Sequence, residues 1–362
     1  MNEEIQNRFT RNRNSIFFIW TLTLFLIAAC SGSSTASVVP EPDTNAQDKI
    51  TNSNKDILTV YSGRSESLVG PIIDQFATST GVDVAVKYGK TPQLAATILE
   101  EGAKSPADIF FAQDPGGLAA VENLLIPIAV DTLNQVPEWA RSTDAKWVGI
   151  SGRARTVVYN PNNIDESDLP NDMWGFVEPQ WNGRIGWAPA NASFQTMVTG
   201  MRTLWGEDKT REWLNGIQRN EPTIYPKNTP QVAAVAIGEI DVGFVNHYYL
   251  FRFLAEEGDD FPVRNYHPRA GGPGSVIMVA GAGILESSKN KTTAEKFLGF
   301  MLSEIAQQYF TAQTYEYPLI DGVKTSRILV PIDEINHPNM PLSSFADLEG
   351  TGKLLRETGI LP

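Results

Sequence analysis

Cysteine and histidine are scarce in this chain of 362 residues. Cys30 is the single cysteine, so the chain cannot form an internal disulfide or a cysteine metal cluster. The three histidines, His247, His267 and His337, do not stand in a paired spacing such as HExxH, which disfavours a zinc site. GxSxG and P-loop motifs are missing as well. These absences argue against the common hydrolytic enzymes.

Positive charge is also in short supply. The chain has 29 lysines and arginines against 42 aspartates and glutamates, a formal net charge of −13. Such a surface disfavours nucleic acid and anionic lipid as partners and is compatible with a cationic ligand. The 42% hydrophobic content, with 10% aromatic residues, is enough to fill the cores of about two globular domains.

The first thirty residues form a separate segment. Arg8, Arg11 and Arg13 precede the apolar run SIFFIWTLTLFLIAA, which is shorter than the roughly 20 residues of a membrane-spanning helix. This pattern predicts a secretory signal peptide over residues 1–29. Its end, IAAC, resembles the lipobox of bacterial lipoproteins, which implies that Cys30 becomes the lipidated first residue. Residues 30–55, rich in Ser, Thr and Asn, then predict a flexible linker.

Short apolar strands alternate with helical patterns in the rest of the chain. ILTVYS, VDVAVKYG and ADIFFA predict strands, with helices at about 65–79 and 92–101 between them, an order typical of a parallel sheet covered by helices. A second α/β series begins near Tyr159, with a helix at about 193–205. The segment TTAEKFLGFMLSEIAQQYFTAQ predicts one long amphipathic helix. Two α/β lobes on an exported chain indicate a hinged binding protein, whose ligand would lie beyond the carboxyl ends of the strands.

Two adjacent tyrosines, Tyr248 and Tyr249, follow the strand pattern IDVGFV at the start of a helical one. Neighbouring side chains converge only where the backbone changes state, and Asn246 is a suitable N-cap for that change. A phenol binds a metal only when a strongly charged cation stabilises its phenolate, and hard cations prefer oxygen ligands. The pair therefore predicts a ferric-ion site, with His247 either a ligand or turned away. The alternative is that both rings only cover the helix start.

Seven longer motifs carry a resemblance to a known family. Along residues 56–362 they are LTVYSGRSESLVGPI, YGKTPQLAATILEEGAKSPADIFFAQD, GISGRARTVVYN, WNGRIGWAPANASF, YPKNTPQVAAVAIGEIDVGFVNHYYLFRFLAEEG, GGPGSVIMVAGAGILESSKN and YEYPL. In this order they resemble the periplasmic ferric-ion-binding proteins of bacterial ABC iron importers, in the transferrin-like group of solute-binding proteins.

The resemblance implies an α/β, two-lobed periplasmic binding protein fold of type II, each lobe a mostly parallel sheet flanked by helices, with a hinged cleft between the lobes. The N-lobe would span 56–157, completed by about 279–330, and the C-lobe 158–278, completed by about 331–362. It further implies a monomer, lipid-anchored outside the cytoplasm, that delivers iron to an ABC permease and its ATPase.

The family pattern also implies a set of site residues. Tyr248 and Tyr249 would hold Fe³⁺ as phenolates, with a synergistic carbonate or phosphate completing the site. By motif position the anion would contact Asn191, Ala192, Ser193, Asn228 and Asn246.

The residue pattern agrees with this anion site. ANASF precedes a helix and Asn228 stands just before Pro230, so both segments offer free N–H groups at helix starts. Arg64, Arg153 and Arg155 are further candidates, because a guanidinium suits a planar oxyanion. Pairing with surface carboxylates is the alternative for these arginines.

The N-lobe half departs from the family pattern. Ser65 replaces a histidine ligand, Gln113 replaces an acidic ligand, and Phe194 stands where other members have a tyrosine. Tyr88, Asp114 and Gln113 remain as candidate ligands, beside oxygens supplied by the anion. The departures leave open a second function, a receptor of the same fold for a polyamine, thiamine or phosphonate.

Overall fold

The computed structural model describes residues 57–362. The predicted signal peptide of residues 1–29, the lipidation of Cys30 and the linker of residues 30–55 lie outside the described residues. Within residues 57–362, no helix has both the length and the apolar character needed to cross a membrane.

Strands and helices alternate along most of the described chain. The strands are β1 Leu58–Ser62, β2 Val84–Tyr88, β3 Ile109–Ala112, β4 Val148–Tyr159, β5 Ile185–Trp187, β6 Thr223–Ile224, β7 Val242–Asn246, β8 Arg264–Tyr266 and β9 Ile277–Ile284. The α-helices are α1 Glu66–Thr80, α2 Thr91–Glu101, α3 Pro115–Ala120, α4 Val130–Leu133, α5 Ala192–Trp205, α6 Glu207–Arg219, α7 Asn228–Ala236, α8 Tyr248–Glu257, α9 Lys291–Met301, α10 Glu304–Gln313 and α11 Leu348–Glu357. Short 3₁₀ turns occupy Gly102–Lys104, Glu122–Leu124, Glu138–Ala140, Glu166–Asp168, Met173–Val177, Pro179–Trp181, Pro273–Ser275, Ile332–Glu334 and Leu342–Phe345.

The strands follow the order β2-β1-β3-β9-β4-β7-β5-β6, with β8 paired to β4. β2, β1 and β3 are parallel to one another, and so are β7, β5 and β6. Between these two groups, β4 and β9 pair antiparallel. The predicted α/β fold class is therefore confirmed, with the two parallel groups joined through β9 and β4 into one nine-stranded sheet within residues 57–362.

The long strand β4 belongs to both groups. Its first half, Val148 to Ala154, pairs with β9, and its second half, Arg155 to Tyr159, pairs with β7. All of its residues are buried. One apolar core packs around β1 to β3, and a second packs around Trp187 and Phe244. Arg153 and Arg155 consequently lie where the chain crosses from one core to the other.

The single long helix predicted over TTAEKFLGFMLSEIAQQYFTAQ is wrong, because the structure has two helices, α9 and α10. The Ser303 hydroxyl accepts a hydrogen bond from the Ala306 N–H at 3.4 Å and so caps a new helix. Both helices bury apolar residues such as Phe297 and Phe310 in the same core. The apolar pattern therefore continues across the break and does not reveal it.

β9 approaches β4 closely at Gly281. A Cβ added there would lie 2.8 Å from the Val148 carbonyl oxygen and 2.9 Å from Leu118 Cδ1. We expect Gly281→Ala to lower the free energy of unfolding by about 1–3 kcal/mol through overpacking, as measured by urea unfolding. Gly299→Ala in α9 is the matched control, since no atom lies within 4 Å of its added Cβ. We expect that control to raise stability by about 0.5–1 kcal/mol, and equal changes in both variants would contradict the packing argument.

Candidate functional site

A cavity of about 570 Å³ lies at the carboxyl ends of the parallel strands. The loop after each of β1, β2, β3, β5, β6 and β7 contributes lining residues. Three of these residues are cationic, Lys90, Lys227 and Arg252, and no aspartate or glutamate of the described chain lines the cavity. The lining of the cavity therefore favours an anionic guest, although the protein as a whole carries a negative charge.

Tyr248 and Tyr249 open α8 and both line this cavity. Their rings are stacked, with centroids 4.4 Å apart and planes inclined by 28°. His247 already has helical backbone angles, φ −55° and ψ −38°, so the change from strand to helix follows Asn246 directly. This change of state lets neighbouring phenols face one space. Asn246 ends β7 instead of capping α8 with its side chain.

The electrostatic surroundings of Tyr249 oppose its ionisation. Burial raises the pKa of the Tyr249 phenol and Tyr248 raises it further, while a hydrogen bond from Asn228 and the charge of Arg64 lower it. The phenol therefore keeps its proton at neutral pH until a cation displaces it.

Arg155 is fully buried and its charge acts on both tyrosines. Its Nη1 donates to Asn246 Oδ1 at 3.0 Å and to Ser193 Oγ at 3.3 Å. The Ser193 hydroxyl donates to Asn191 Oδ1 at 2.6 Å and accepts from Asn228 Nδ2 at 3.4 Å. One hydrogen-bonded group thus joins Arg155, Asn246, Ser193, Asn191 and Asn228.

Several buried donors of this group have no hydrogen-bond partner among residues 57–362. They are Nε and Nη2 of Arg155 and Nδ2 of Asn246. Burial lowers the pKa of Arg155 to about 9, and the nearby Arg153 lowers it too, whereas Tyr249 and Tyr248 act in the opposite direction. Because a buried donor left unpaired costs about 1–3 kcal/mol, this donor-rich group fits a small oxyanion.

The helix starts differ in how they are capped. Asn191 caps α5, accepting from the Ser193 N–H at 3.0 Å, and Asn191 and Ala192 line the cavity. Asn228 is the first residue of α7, and the preceding Lys227 makes no side-chain cap. The backbone donors at both starts are therefore directed toward the same region as the tyrosine pair.

The other two arginines are buried beside carboxylates. Arg64 forms an ion pair with Glu316, and both side chains are almost fully buried. Arg153 has no hydrogen-bond partner for its guanidinium in the described chain, but its charge lowers the pKa of the buried Asp114. The effect of Asp114 burial is larger and raises that pKa. Arg64 and Arg153 thus lie within the protein and not on its surface.

The candidate N-lobe ligands occupy different places. Ser65 and Gln113 line the cavity. Asp114 is buried behind it and caps α3 by accepting from the Gly117 N–H at 3.1 Å. Tyr88 does not line the cavity, and its hydroxyl lies against Gly70 of α1. The pKa of Tyr88 is raised by burial and by the neighbouring acidic residues of α1.

Two further side chains point away from the cavity. The Nδ1 of His247 accepts from the Ala154 N–H at 3.1 Å, and its Nε2 bonds the Tyr315 carbonyl oxygen at 2.8 Å. Burial lowers the pKa of His247 to about 3, so the ring is neutral. Phe194 packs edge-on against Trp187 in the second core, with centroids 5.6 Å apart.

Sequence reasoning missed the three cavity cations and Glu316. Arg252 follows Tyr248 by four residues, a helical spacing that places both on one face, so it could have been found. Lys90 and Lys227 stand immediately before helix starts, which is a weaker signal. The pairing of Glu316 with Arg64 spans 252 residues and leaves no local pattern.

Known proteins are similar to this chain in sequence and in fold. Residues 71–333 match the model of the bacterial extracellular solute-binding proteins. The major ferric iron-binding protein of Neisseria meningitidis serogroup A is 35% identical over 84% of this chain and 93% of its own length. Iron-bound HitA from Pseudomonas aeruginosa matches with a TM-score of 0.80 at 32% identity, over 84% of this chain and 99% of that one. Trichodesmium FutA, solved with iron and citrate ligands, matches with a TM-score of 0.74 at 30% identity, over 84% of this chain and 99% of that one.

One buried and one partly buried histidine, both neutral, make stability depend on pH. Burial lowers the pKa of His267 to about 4 and that of His247 to about 3. A histidine in the unfolded chain titrates near 6.5, so the stability of the folded state is full above that pH and is lost as the pH falls toward 4. We expect the free energy of unfolding to fall by up to about 1.4 kcal/mol per pH unit for each histidine, measured by urea unfolding between pH 7 and 5.

His267→Gln should weaken this pH dependence. The exposed His337 offers the control, since His337→Gln should leave it unchanged. An identical slope in wild type and His267→Gln would show that His267 does not contribute.

Proposed function

Since this chain belongs to the ferric-ion-binding proteins of the bacterial extracellular solute-binding family, we propose that it is an extracytoplasmic receptor that binds Fe³⁺ and delivers it to an ABC importer. In this proposal the protein is a carrier and not an enzyme. The observation that carries the proposal is the stacked phenol pair that faces the cavity, with the buried donor group of Arg155 and Asn246 behind it.

In the proposed site, Tyr248 and Tyr249 bind Fe³⁺ as phenolates. Phenolate oxygens are hard donors that suit this hard trivalent ion, and binding of the ion displaces the phenol protons. Asn228 and Arg64 assist at Tyr249, because both lower the pKa of that phenol.

A synergistic carbonate or phosphate completes the proposed site. Its contacts are drawn from Asn191, Ala192, Ser193, Asn228, Asn246, Arg64, Arg153 and Arg155. The free Nε and Nη2 of Arg155 favour carbonate, since a planar oxyanion matches two neighbouring guanidinium nitrogens. Because no carboxylate of the described chain lines the cavity, the anion would supply oxygens that the N-lobe lacks.

The remaining ligand would come from the N-lobe when the lobes close. β4 and β9 connect the two parallel groups and are the natural hinge, with an N-lobe of 56–157 and about 279–330 facing a C-lobe of 158–278 and about 331–362. Of the three candidate ligands Gln113, Tyr88 and Asp114, Gln113 already lines the cavity. Tyr88 would have to move away from α1 to reach the ion. Asp114 would have to give up the hydrogen bond from the Gly117 N–H with which it caps α3. Iron held by the tyrosines would then select the closed state.

The proposed cellular role follows from the N-terminal segment. Removal of residues 1–29 and lipidation of Cys30 would anchor the receptor to the membrane outside the cytoplasm, with residues 30–55 as its linker. A monomer held there would pass iron to a permease driven by an ATPase.

The positive charge of the cavity lining restricts the classes of alternative ligand that could bind. Polyamines and thiamine are cations that would meet Lys90, Lys227 and Arg252 without gaining the phenolate bonds and the synergistic anion that offset this repulsion for Fe³⁺. A phosphonate-like oxyanion is the organic alternative that this lining favours. Calorimetric titration of metal-free protein with Fe³⁺ and carbonate, and separately with a phosphonate, distinguishes the two.

Removal of the phenols should abolish iron binding. We expect Tyr248→Phe, Tyr249→Phe protein to lose the visible phenolate-to-iron charge-transfer band and at least about 100-fold in affinity for Fe³⁺, measured by competition with a chelator. Tyr225→Phe is the matched control, because Tyr225 hydrogen-bonds Glu239 away from the cavity. Full colour in the double variant would overturn the proposed function.

Removal of the Arg155 guanidinium should weaken binding of the synergistic anion. We expect Arg155→Gln to reduce the affinity for Fe³⁺ in the presence of carbonate by about 10- to 100-fold, as for an outer support of a metal site. Iron titration with and without added carbonate measures this effect. Arg184→Gln, which removes an arginine paired with Asp241 near the surface, should behave as wild type. An unchanged carbonate dependence in Arg155→Gln would exclude Arg155 as an anion contact.

A further inference from the structure

The segment Tyr315–Tyr317, part of the motif YEYPL, contacts three separate parts of the site with three consecutive residues. Tyr315 has a left-handed backbone, φ 56°, which is uncommon for a residue with a side chain. This conformation turns the chain so that the Tyr315 carbonyl and the Tyr317 ring reach His247, while the Glu316 carboxylate reaches Arg64 and Ser151. Strain of this kind persists only where surrounding contacts maintain it.

Glu316 makes the central contacts of the segment. It is fully buried, and its two carboxylate oxygens accept from the Arg64 guanidinium and from the Ser151 hydroxyl. Arg64 follows β1 between Gly63 and Ser65, both of which line the cavity. Glu316 thus holds the loop that forms the N-lobe wall of the cavity.

The flanking tyrosines hold the residue before the phenol pair. The Tyr315 carbonyl oxygen lies 2.8 Å from His247 Nε2, and the Tyr317 ring stacks on His247 with centroids 4.8 Å apart. The Tyr317 backbone also pairs with Gly152 of β4 through two hydrogen bonds of 2.8 and 2.9 Å. The segment therefore fixes the start of α8 from behind and the Arg64 loop at the same time.

Arg64 interacts electrostatically with the phenols. Its positive charge interacts with both Tyr248 and Tyr249, and in this low-dielectric interior the interaction is only weakly screened. Glu316 adds a negative charge next to that guanidinium. With the carboxylate present the guanidinium charge is partly offset at the phenols, and without it the phenols face the full charge of Arg64.

We propose that Glu316 is a positioning residue of the tyrosine pair, which fixes Arg64 and offsets its charge and thereby sets how strongly Tyr248 and Tyr249 donate electrons to the bound ion. This role rests on the proposed function. It differs from a purely structural one because it acts on the electronic state of the phenolate–iron bond.

The position of the phenolate-to-iron charge-transfer band tests this role. An uncompensated cation beside the phenolates lowers the energy of their donor electrons, so Glu316→Gln should move the band of the Fe³⁺-loaded protein to shorter wavelength. Arg64→Gln leaves the carboxylate alone and should move the band to longer wavelength. Glu316→Asp, which keeps the charge, should stay close to wild type. Glu304→Gln removes an exposed carboxylate of α10 and should not shift the band.

The double variant Arg64→Gln, Glu316→Gln separates charge from folding. Removing both charges should return the band at least halfway to the wild-type position, whereas damage to the fold would not be repaired. If Glu316→Gln does not fold, the test uses the other two variants. The band should move to longer wavelength in Arg64→Gln and return toward the wild-type position in the double variant. An unshifted band in Glu316→Gln, or in Arg64→Gln when only that variant folds, overturns the proposal. Wild-type protein without any band would instead remove the proposed function, and this inference with it.

Discussion

Buried positive charge behind the tyrosine pair is the constraint on which the site depends. Arg64, Arg153 and Arg155 are withdrawn from water, and within residues 57–362 the buried carboxylates that interact with them are Glu316, which pairs with Arg64, and Asp114, which interacts with Arg153. The excess charge can be balanced by phenolates and an anion, so the empty and loaded states differ in how well the interior is neutralised. In the proposed function, cargo and counter-ion therefore stabilise the same closed arrangement.

The position of this charge connects binding with movement. Arg153 and Arg155 lie on β4, where its pairing changes from β9 to β7. Arg155 bonds Ser193 and Asn246 on one side of the crossing, whereas Arg64 and Asp114 belong to loops of the other side. In the proposed function, a guest that binds these groups contacts both sides of the proposed hinge, so that local contacts would select the closed state.

Local patterns predicted much of this protein because they depend on neighbours in the chain. The βαβ order of β1 to β3, the cap at Asn191 and the tyrosine pair at a strand end all follow from short-range rules. The break at Ser303 was missed because both helices share one apolar face. The partner of Arg64 could not be predicted, since Glu316 is distant in sequence. The orientation of the Tyr88 side chain also depends on tertiary packing, and such packing leaves no periodic pattern in the sequence.

The cavity is assembled from six separate loop ends, one after each parallel strand. Donors such as Ser65 and Gln113 stand on separate loops and can be exchanged one at a time, although the loops contact one another, as in the bond from the Gln113 N–H to Thr91 Oγ1 at 3.0 Å. The tyrosine pair lacks this freedom, since its rings stack together and interact electrostatically with the buried Arg64 and Arg155. Ligand preference can therefore diverge through single substitutions on one wall of the cleft while the opposite wall stays fixed, and this asymmetry gives the scaffold its evolutionary adaptability.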